Sequence, residues 1–247
     1  VKANTKLLFL ETPSNPLGEV ADLEALAELA HSIGALLVVD NSLLSPVGSQ
    51  PLKHGADISV SSATKAIDGH GRVMGGVLAG SEELMTQVAV YCNSCGLAMS
   101  PFNAWQLLSG VETLSLRMEK QFDNALKIAQ WLQAQPQVQA VYYTGLPDHP
   151  QAELIRKQQN GGGIVIGFEV ADTDAAWKIV DSVELFSRTA NLGDVRSTIT
   201  HPWTTTHGRM QPEEKLAANI RPGLVRLSVG LEYVDDLIDD LKQALAR

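Results

Sequence analysis

The sequence predicts an α/β fold, with a mainly parallel sheet in a larger first part and a smaller α+β domain after it. Three observations carry this. Short continuous apolar runs alternate with helical patterns through roughly the first hundred residues, as strands buried on both faces do. Apolar residues then recur at helical spacing from residue 101 to about residue 135. Beyond that, strand-like and helix-like runs are interleaved in a different texture. The division is expected between residues 1–120 and residues 121–247.

Taken in order, "KLLFLE" (residues 6–11) is an apolar run expected to be a strand buried on both faces. Asp22 is placed to cap a helix whose Leu23, Leu26, Ala27 and Ala30 share one side, and Gly34 stops it. "ALLVVDN", "ADISVSSA" and "VMGGVLAG" read as the second, third and fourth strands of a parallel sheet. The helical stretch from residue 101 is long for one globular helix, so two helices or one bridging the domains are expected, with Gly110 weakening a turn. Trp105 and Trp131 on this stretch, and Trp177 beyond it, read as core side chains. "GGGIVIGFEV", "ELFSRTAN" and "LVRLSVGLE" are expected strands; "TDAAWKIVDSV", "QPEEKLAANI" and "VDDLIDDLKQALAR" are expected helices. Gly161 to Gly163 precede a strand and not a helix, so they read as a flexible entry and not a phosphate cradle. Asp235, Asp236, Asp239 and Asp240 read as a solvated helix face.

Composition narrows the function. The 247 residues, 45% of them hydrophobic, suffice for a substantial core. The net charge of −9 argues against a nucleic-acid surface. No apolar run has the length of a membrane span and no secretory signal is visible, so a cytoplasmic location is expected. The opening "VKANTKLLFLE" lacks a methionine and enters a strand within six residues, so an N-terminal part is expected to be absent from this chain. Cys92 and Cys95 form a lone CxxC between a helical stretch and a loop, and read as reduced thiols. The six histidines are dispersed, and no metal site is expected.

Two strand ends carry the chemistry. In an open parallel sheet, ligands bind at the carboxyl ends of strands. "LLVVDN" ends in Asp40, and "ISVSSATK" ends in Lys65 with Ser61, Ser62 and Thr64 crowded ahead of it. Three readings stand side by side. The pair can be a structural ion pair. It can bind phosphate without covalent chemistry, although neither the Gly-x-x-x-x-Gly-Lys-Ser/Thr loop nor GxGxxG is present. Or it can serve pyridoxal phosphate, with Lys65 as the covalent anchor, Asp40 on the pyridine nitrogen and the hydroxyls on the phosphate.

"ETPSNP", "VVDNS", "SSATKAIDGHG", "LSVGLE" and "HPWTTTHG" together resemble the Cys/Met-metabolism family of pyridoxal-phosphate enzymes, from Lys6 to the C-terminus. The resemblance implies the aspartate-aminotransferase-like fold of type I pyridoxal-phosphate transferases. "AIDGHGRVMGGVLAG", "SPFNAW" and "ANLGDVRSTITHPWTTTHGR" are most similar to the branch that replaces the γ-succinyloxy group of O-succinylhomoserine with sulfide, releasing succinate. The branches that make or cleave cystathionine or methionine are the alternatives, and an inert truncated domain is the non-enzymatic one.

The resemblance further implies roles, position by position. Lys65 is the covalent anchor and proton shuttle, and Asp40 pairs with the pyridinium nitrogen. Ser42 lies near the ring; Ser62 and Thr64 bind phosphate. Arg226 binds the substrate α-carboxylate, a task that suits a guanidinium fork. Asn191 stands near the lysine and that carboxylate, and Asn15 near the ring and substrate. It also implies a small amino-acid substrate and a homo-oligomer, a dimer-built tetramer with shared active sites. From the residues alone, Arg226 is an ordinary strand-edge arginine and Asn15 shapes the turn before Pro16. Asp194 and Arg196 can form a loop salt bridge, and His201 and His207 can simply order their loop. Ala66, Trp203 and Tyr233 depart from the family pattern, and Trp203 brings bulk to the substrate loop.

Overall fold

The computed structural model describes all 247 residues. The first sheet has four strands, β1 (Leu7–Glu11), β2 (Leu36–Asp40), β3 (Ile58–Ser62) and β4 (Gly76–Gly80), in that spatial order. β1, β2 and β3 are parallel, whereas β4 runs antiparallel to β3. The connection over residues 63–75 holds a single π-type turn and no crossover helix, so the chain doubles back. Helix α1 (Leu23–Ser32) begins at Asp22, whose carboxylate accepts the Ala25 amide at 3.1 Å. Leu23, Ala27 and Ala30 pack with Leu37, Val39 and Ala56. Gly34, at φ 67°, turns the chain out of the helix.

β1 is not buried on both faces. It is an edge strand that α1 covers on one side only, through Leu8 and Leu10. Leu7 and Phe9 point the other way, and Phe9 is 60% exposed.

The helical stretch divides at Thr113 (φ −113°, ψ 8°) into α4 (Pro101–Glu112) and α5 (Leu114–Gln133). Before it come short α2 (Ser45–Gly48) and α3 (Glu82–Ser94), the latter ending between the free thiols Cys92 and Cys95. α4 buries Leu107 and Gly110 but exposes Phe102, Trp105 and Leu108. Trp105 is therefore a surface residue and not core; it is 61% exposed, with Phe102 edge-on to its ring. Gly110 does more than weaken a turn. A Cβ there would overlap the Ile67 carbonyl, so glycine is what lets α4 approach the segment after β3.

The second sheet comprises β5 (Ala140–Tyr142), β6 (Val165–Glu169), β7 (Ser187–Arg188), β8 (Thr198–Thr200) and β9 (Leu224–Ser228), ordered β5-β6-β9-β8-β7. All pairs are antiparallel except β7 with β8. α5, α7 (Thr173–Ser182) and α9 (Val234–Leu245) cover one face, burying Ile128, Leu132, Ile179, Leu237 and Leu241 against Phe168 and Leu227. Trp131 and Trp177 are partly buried at the margin of this core. α6 (Ala152–Gln158) and α8 (Pro212–Ala217) lie in the connections. α5 serves both sheets: Leu114 and Met118 pack with Ala66 and Ile164, near the end of β3.

Two further expectations change. Gly161 to Gly163 are a close-packed crossing and not a flexible entry. A Cβ at Gly161 would overlap the Phe122 ring, one at Gly162 would come 2.5 Å from the Gly145 backbone, and the Gly163 carbonyl accepts the Tyr143 hydroxyl at 3.0 Å. The aspartates of α9 are not all solvated. Asp235, Asp236 and Asp239 are exposed, but Asp240 turns inward and accepts the amides of Glu184, Leu185 and Phe186 at 2.8–3.1 Å. One carboxylate thereby satisfies three amides of a segment that has no ladder partner there.

Candidate functional site

Lys65 is mounted where β3 ends. Residues Ala63–Ile67 form a wide π-type turn, inside which Lys65 departs from helical geometry (φ −88°, ψ −126°). The Lys65 carbonyl accepts the Gly69 amide at 2.8 Å, and its Nζ donates to Asn191 Oδ1 at 3.0 Å. Burial pushes the Lys65 ammonium below the ordinary lysine range, and the charge of Arg226 pushes it further. An amine so shifted holds a free lone pair at lower pH than an exposed lysine does.

Asp40 closes β2. One of its oxygens accepts the Ser42 amide at 2.9 Å. None of the chain's ion pairs includes Asp40. Its neighbour across the ladder is another carboxylate, Glu11. Burial, and then the charge of Asp40, raise the pKa of Glu11. A structural ion pair between Asp40 and Lys65 is therefore absent. Ser42 Oγ accepts the Ser62 amide at 2.7 Å, tying the ends of β2 and β3 together and leaving the Ser62 hydroxyl available. Thr64 is differently placed. Its hydroxyl accepts the Gly75 amide at 3.0 Å and donates to the Gly75 carbonyl at 3.3 Å, stitching the turn to the start of β4.

Arg226 lies in β9 and is 2% exposed, so it is no ordinary strand-edge arginine. Its guanidinium donates to the carbonyl of Ala190 at 2.8 Å and of Asn191 at 3.3 Å, and reaches Asn15 Oδ1 at 3.5 Å. No carboxylate pairs with it, and its buried Nε has no partner. Burial pushes its pKa down to about 10. A buried, uncompensated cation with a free donor is built to receive an anion.

The segment over residues 190–196 links these groups, and part of its role was not evident from sequence. Gly193, at φ 80°, passes so close to Lys65 that a Cβ would sit 2.9 Å from Lys65 Cβ. Its amide donates to the buried Ser228 hydroxyl at 3.0 Å. Asp194 and Arg196 form a loop salt bridge, with guanidinium contacts of 2.8 and 3.1 Å. His201 is fully buried and orders its loop through Thr204 Oγ1 at 2.9 Å and the Pro222 carbonyl at 2.7 Å. His207 is held below the ordinary histidine range by burial and by Arg226 and Lys215. Trp203 packs with Leu17, Ile220 and Leu224, and the Lys215 ammonium stands 4.7 Å above its ring. The signal for Glu11 and Ser228 was present in the sequence, since each ends a strand beside a predicted site residue.

The structure thus gathers Lys65, Asn191, Arg226 and Asn15 into one hydrogen-bonded group, and Asp40, Ser42 and Ser62 into another where β2 and β3 end. Thr64 is half-buried and hydrogen-bonds Gly75. An unpaired carboxylate, an available hydroxyl, a shifted amine and an uncompensated guanidinium fit pyridoxal phosphate bearing an amino-acid substrate. The ring nitrogen, the phosphate, the aldehyde carbon and the substrate carboxylate each have a matching group.

Comparison with known proteins agrees. The profile of the Cys/Met metabolism PLP-dependent enzyme family matches residues 1–246. O-succinylhomoserine sulfhydrylase of Pseudomonas aeruginosa is 52% identical over 246 residues, which cover 99% of this chain and 61% of that protein. L-methionine gamma-lyase of Porphyromonas gingivalis is 43% identical over 249 residues, covering 99% of this chain and 62% of that protein. The solved cystathionine gamma synthase of Xanthomonas oryzae pv. oryzae, in complex with aminoacrylate and cysteine, superposes with a TM-score of 0.94 at 42% identity, over 98% of this chain and 63% of that one. The chain therefore spans about three fifths of the length of these relatives, and it carries the fold of pyridoxal-phosphate enzymes. On its profile match and these identities, the chain belongs to the Cys/Met metabolism family of pyridoxal-phosphate-dependent enzymes.

Proposed function

We propose that the full-length protein replaces the γ-substituent of an activated homoserine, converting O-succinylhomoserine and sulfide into homocysteine and succinate. The observation that carries this is the buried Arg226 guanidinium, unpaired by any carboxylate and linked through Asn191 to the Lys65 amine. It is the arrangement expected where an amino acid is held by its carboxylate beside a basic amine. The sulfhydrylase relative at 52% identity supports the choice of substrate.

Lys65 would anchor pyridoxal phosphate, Asp40 would hold its ring N–H, and Ser62 and Thr64 would bind its phosphate. When bound, the cofactor supplies an electron sink for negative charge developing on the substrate carbons. Arg226 clamps the α-carboxylate and so fixes which substrate C–H faces the amine. Lys65 Nζ, its pKa lowered by burial, takes the α-proton and holds it for return. Asn191 Oδ1 orients that nitrogen. Ser42 buttresses Ser62, and Asn15 holds the outer edge of the guanidinium.

Copies of the protein are proposed to assemble into a dimer-built tetramer in the cytoplasm. Phe102, Trp105 and Leu108 on α4 and Val77 and Leu78 on β4 are exposed apolar side chains of the kind subunit contacts cover. Sedimentation of the full-length protein checks this, and a monomer at working concentrations would refute it.

The test of the reaction is product analysis. O-succinylhomoserine is supplied with sulfide or with cysteine at equal concentration. Homocysteine as the dominant product supports the proposal. Cystathionine as the dominant product assigns the γ-synthase reaction instead, and 2-oxobutanoate without either sulfur-containing product assigns a γ-lyase.

A further inference from the structure

The Lys65 turn rests on an arginine that the reaction itself does not use. Arg117 lies in the first turn of α5 and is 5% exposed. Its Nη1 donates to the Ala66 carbonyl at 2.8 Å, and its Nη2 donates to the carbonyls of Ile67 at 3.1 Å and Gly110 at 2.7 Å. Its Nε donates to Thr113 Oγ1 at 3.1 Å. One guanidinium therefore holds the two peptide units after Lys65 and the end of α4. These are carbonyls at the ends of helical segments, which lack intrahelical donors.

The slot is fitted to a guanidinium. A Cβ at Gly69, which is at φ 67°, would overlap the Arg117 guanidinium, and one at Gly110 would overlap the Ile67 carbonyl. Both glycines leave space that Arg117 and its acceptors fill. No carboxylate pairs with Arg117. The nearby buried Asp68 is engaged with Arg72 at 2.9 Å and with the Arg72 amide at 2.8 Å. All four Arg117 contacts thus go to α4 and its junction or to the turn that carries Lys65.

We propose that Arg117 is a positioning residue for Lys65, fixing through the Ala66 and Ile67 carbonyls the turn that aims the lysine amine. Lysine in its place keeps the charge but loses the planar fork, so it cannot hold four acceptors in these directions. The proposal rests on the reading of Lys65 as cofactor anchor.

The test uses full-length protein stripped of cofactor and remixed with pyridoxal phosphate. It follows the rate at which the visible absorption band of lysine-bound cofactor forms and the pH midpoint of that band. Arg117→Lys is expected to slow capture by roughly tenfold or more and to move the midpoint, since small misplacements of a reacting group cost large factors in rate. Thr113→Val removes one acceptor at an exposed position and leaves the fold standing; it is expected to slow capture by about two- to threefold in the same direction, the size of a partial loss of one contact. Asp240→Asn, which loosens residues 184–186, is expected to lower thermal stability and leave both readouts unchanged. Arg117→Lys capturing at the wild-type rate with the wild-type midpoint overturns the proposal, whatever its stability. If Arg117→Lys does not fold, Thr113→Val decides, and wild-type behaviour there overturns the proposal. A wild-type protein that forms no band overturns the Lys65 assignment itself, and this inference with it.

Discussion

Arg226→Met separates what the guanidinium does for the fold from what it does for the substrate. Burial pushes the pKa of Arg226 down to about 10. That depression corresponds to roughly 3 kcal/mol spent on keeping the charge in place. Methionine removes this cost and fills similar volume. Against it, the Ala190 carbonyl loses a charged donor at 2.8 Å, a loss of about 1–3 kcal/mol, and the longer contacts to Asn191 and Asn15 lose less. The two effects nearly cancel, so stability in urea should change by less than about 2 kcal/mol. Breaking a genuine buried ion pair would cost about 3–5 kcal/mol. The effect on the substrate is far larger. Two charge-assisted bonds to a carboxylate, at about 1.5–3 kcal/mol each, correspond to a loss of roughly 10²–10⁴ in kcat/KM. The assay pairs urea unfolding with kcat/KM for the amino acid and for its carboxamide analogue. The variant should lose the preference for the acid, because nothing remains to read the charge. A stability loss above about 4 kcal/mol, or an unchanged preference for the acid, would refute the reasoning.

Further outcomes are expected. Gly193→Ala forces a Cβ to within 2.9 Å of Lys65 Cβ at φ 80°, so cofactor affinity should fall by at least about tenfold in an absorbance titration. Asp240→Asn weakens three amide contacts far from Lys65 and should cost about 1–3 kcal/mol in thermal unfolding without changing cofactor affinity. Cofactor capture should quicken as pH rises toward a midpoint below the ordinary lysine value of 10.5, because burial and then the Arg226 charge disfavour the Lys65 ammonium. The same shift means that the unfolded chain binds more protons than the folded one between the lowered pKa and 10.5, so the Lys65 contribution makes stability rise with pH there. In Arg226→Met the midpoint of capture, read by stopped-flow absorbance, should move up toward 10.5.

What was legible in the sequence was local. The Asp22 cap, the Gly34 stop and the strand ends at Asp40 and Ser62 follow from a few adjacent residues, and the structure has them within a residue or two of where periodicity put them. Exposure was less legible. Trp105 and Leu108 occupy helical apolar positions, yet no other part of this chain covers that side of α4, and spacing alone cannot tell a core face from a contact face. Long-range pairings were illegible from the residues alone. The Lys65–Asn191 contact joins positions 126 apart and Arg226–Asn15 joins positions 211 apart, so only the family pattern brought these residues under one heading. Arg117 and Asp240 show the same limit from the other side. Each reads as an ordinary charged residue of an amphipathic helix, and each proves to be turned inward onto backbone groups more than forty residues away.

The proposed function stands on Lys65 as the covalent anchor of pyridoxal phosphate. The most direct measurement loads the full-length protein with the cofactor, reduces it with borohydride and locates the added pyridoxyl phosphate mass among the proteolytic peptides. A single adduct is expected on the peptide carrying Lys65, lost in Lys65→Ala. An adduct on another lysine, or none on a protein that still binds the cofactor, would contradict it.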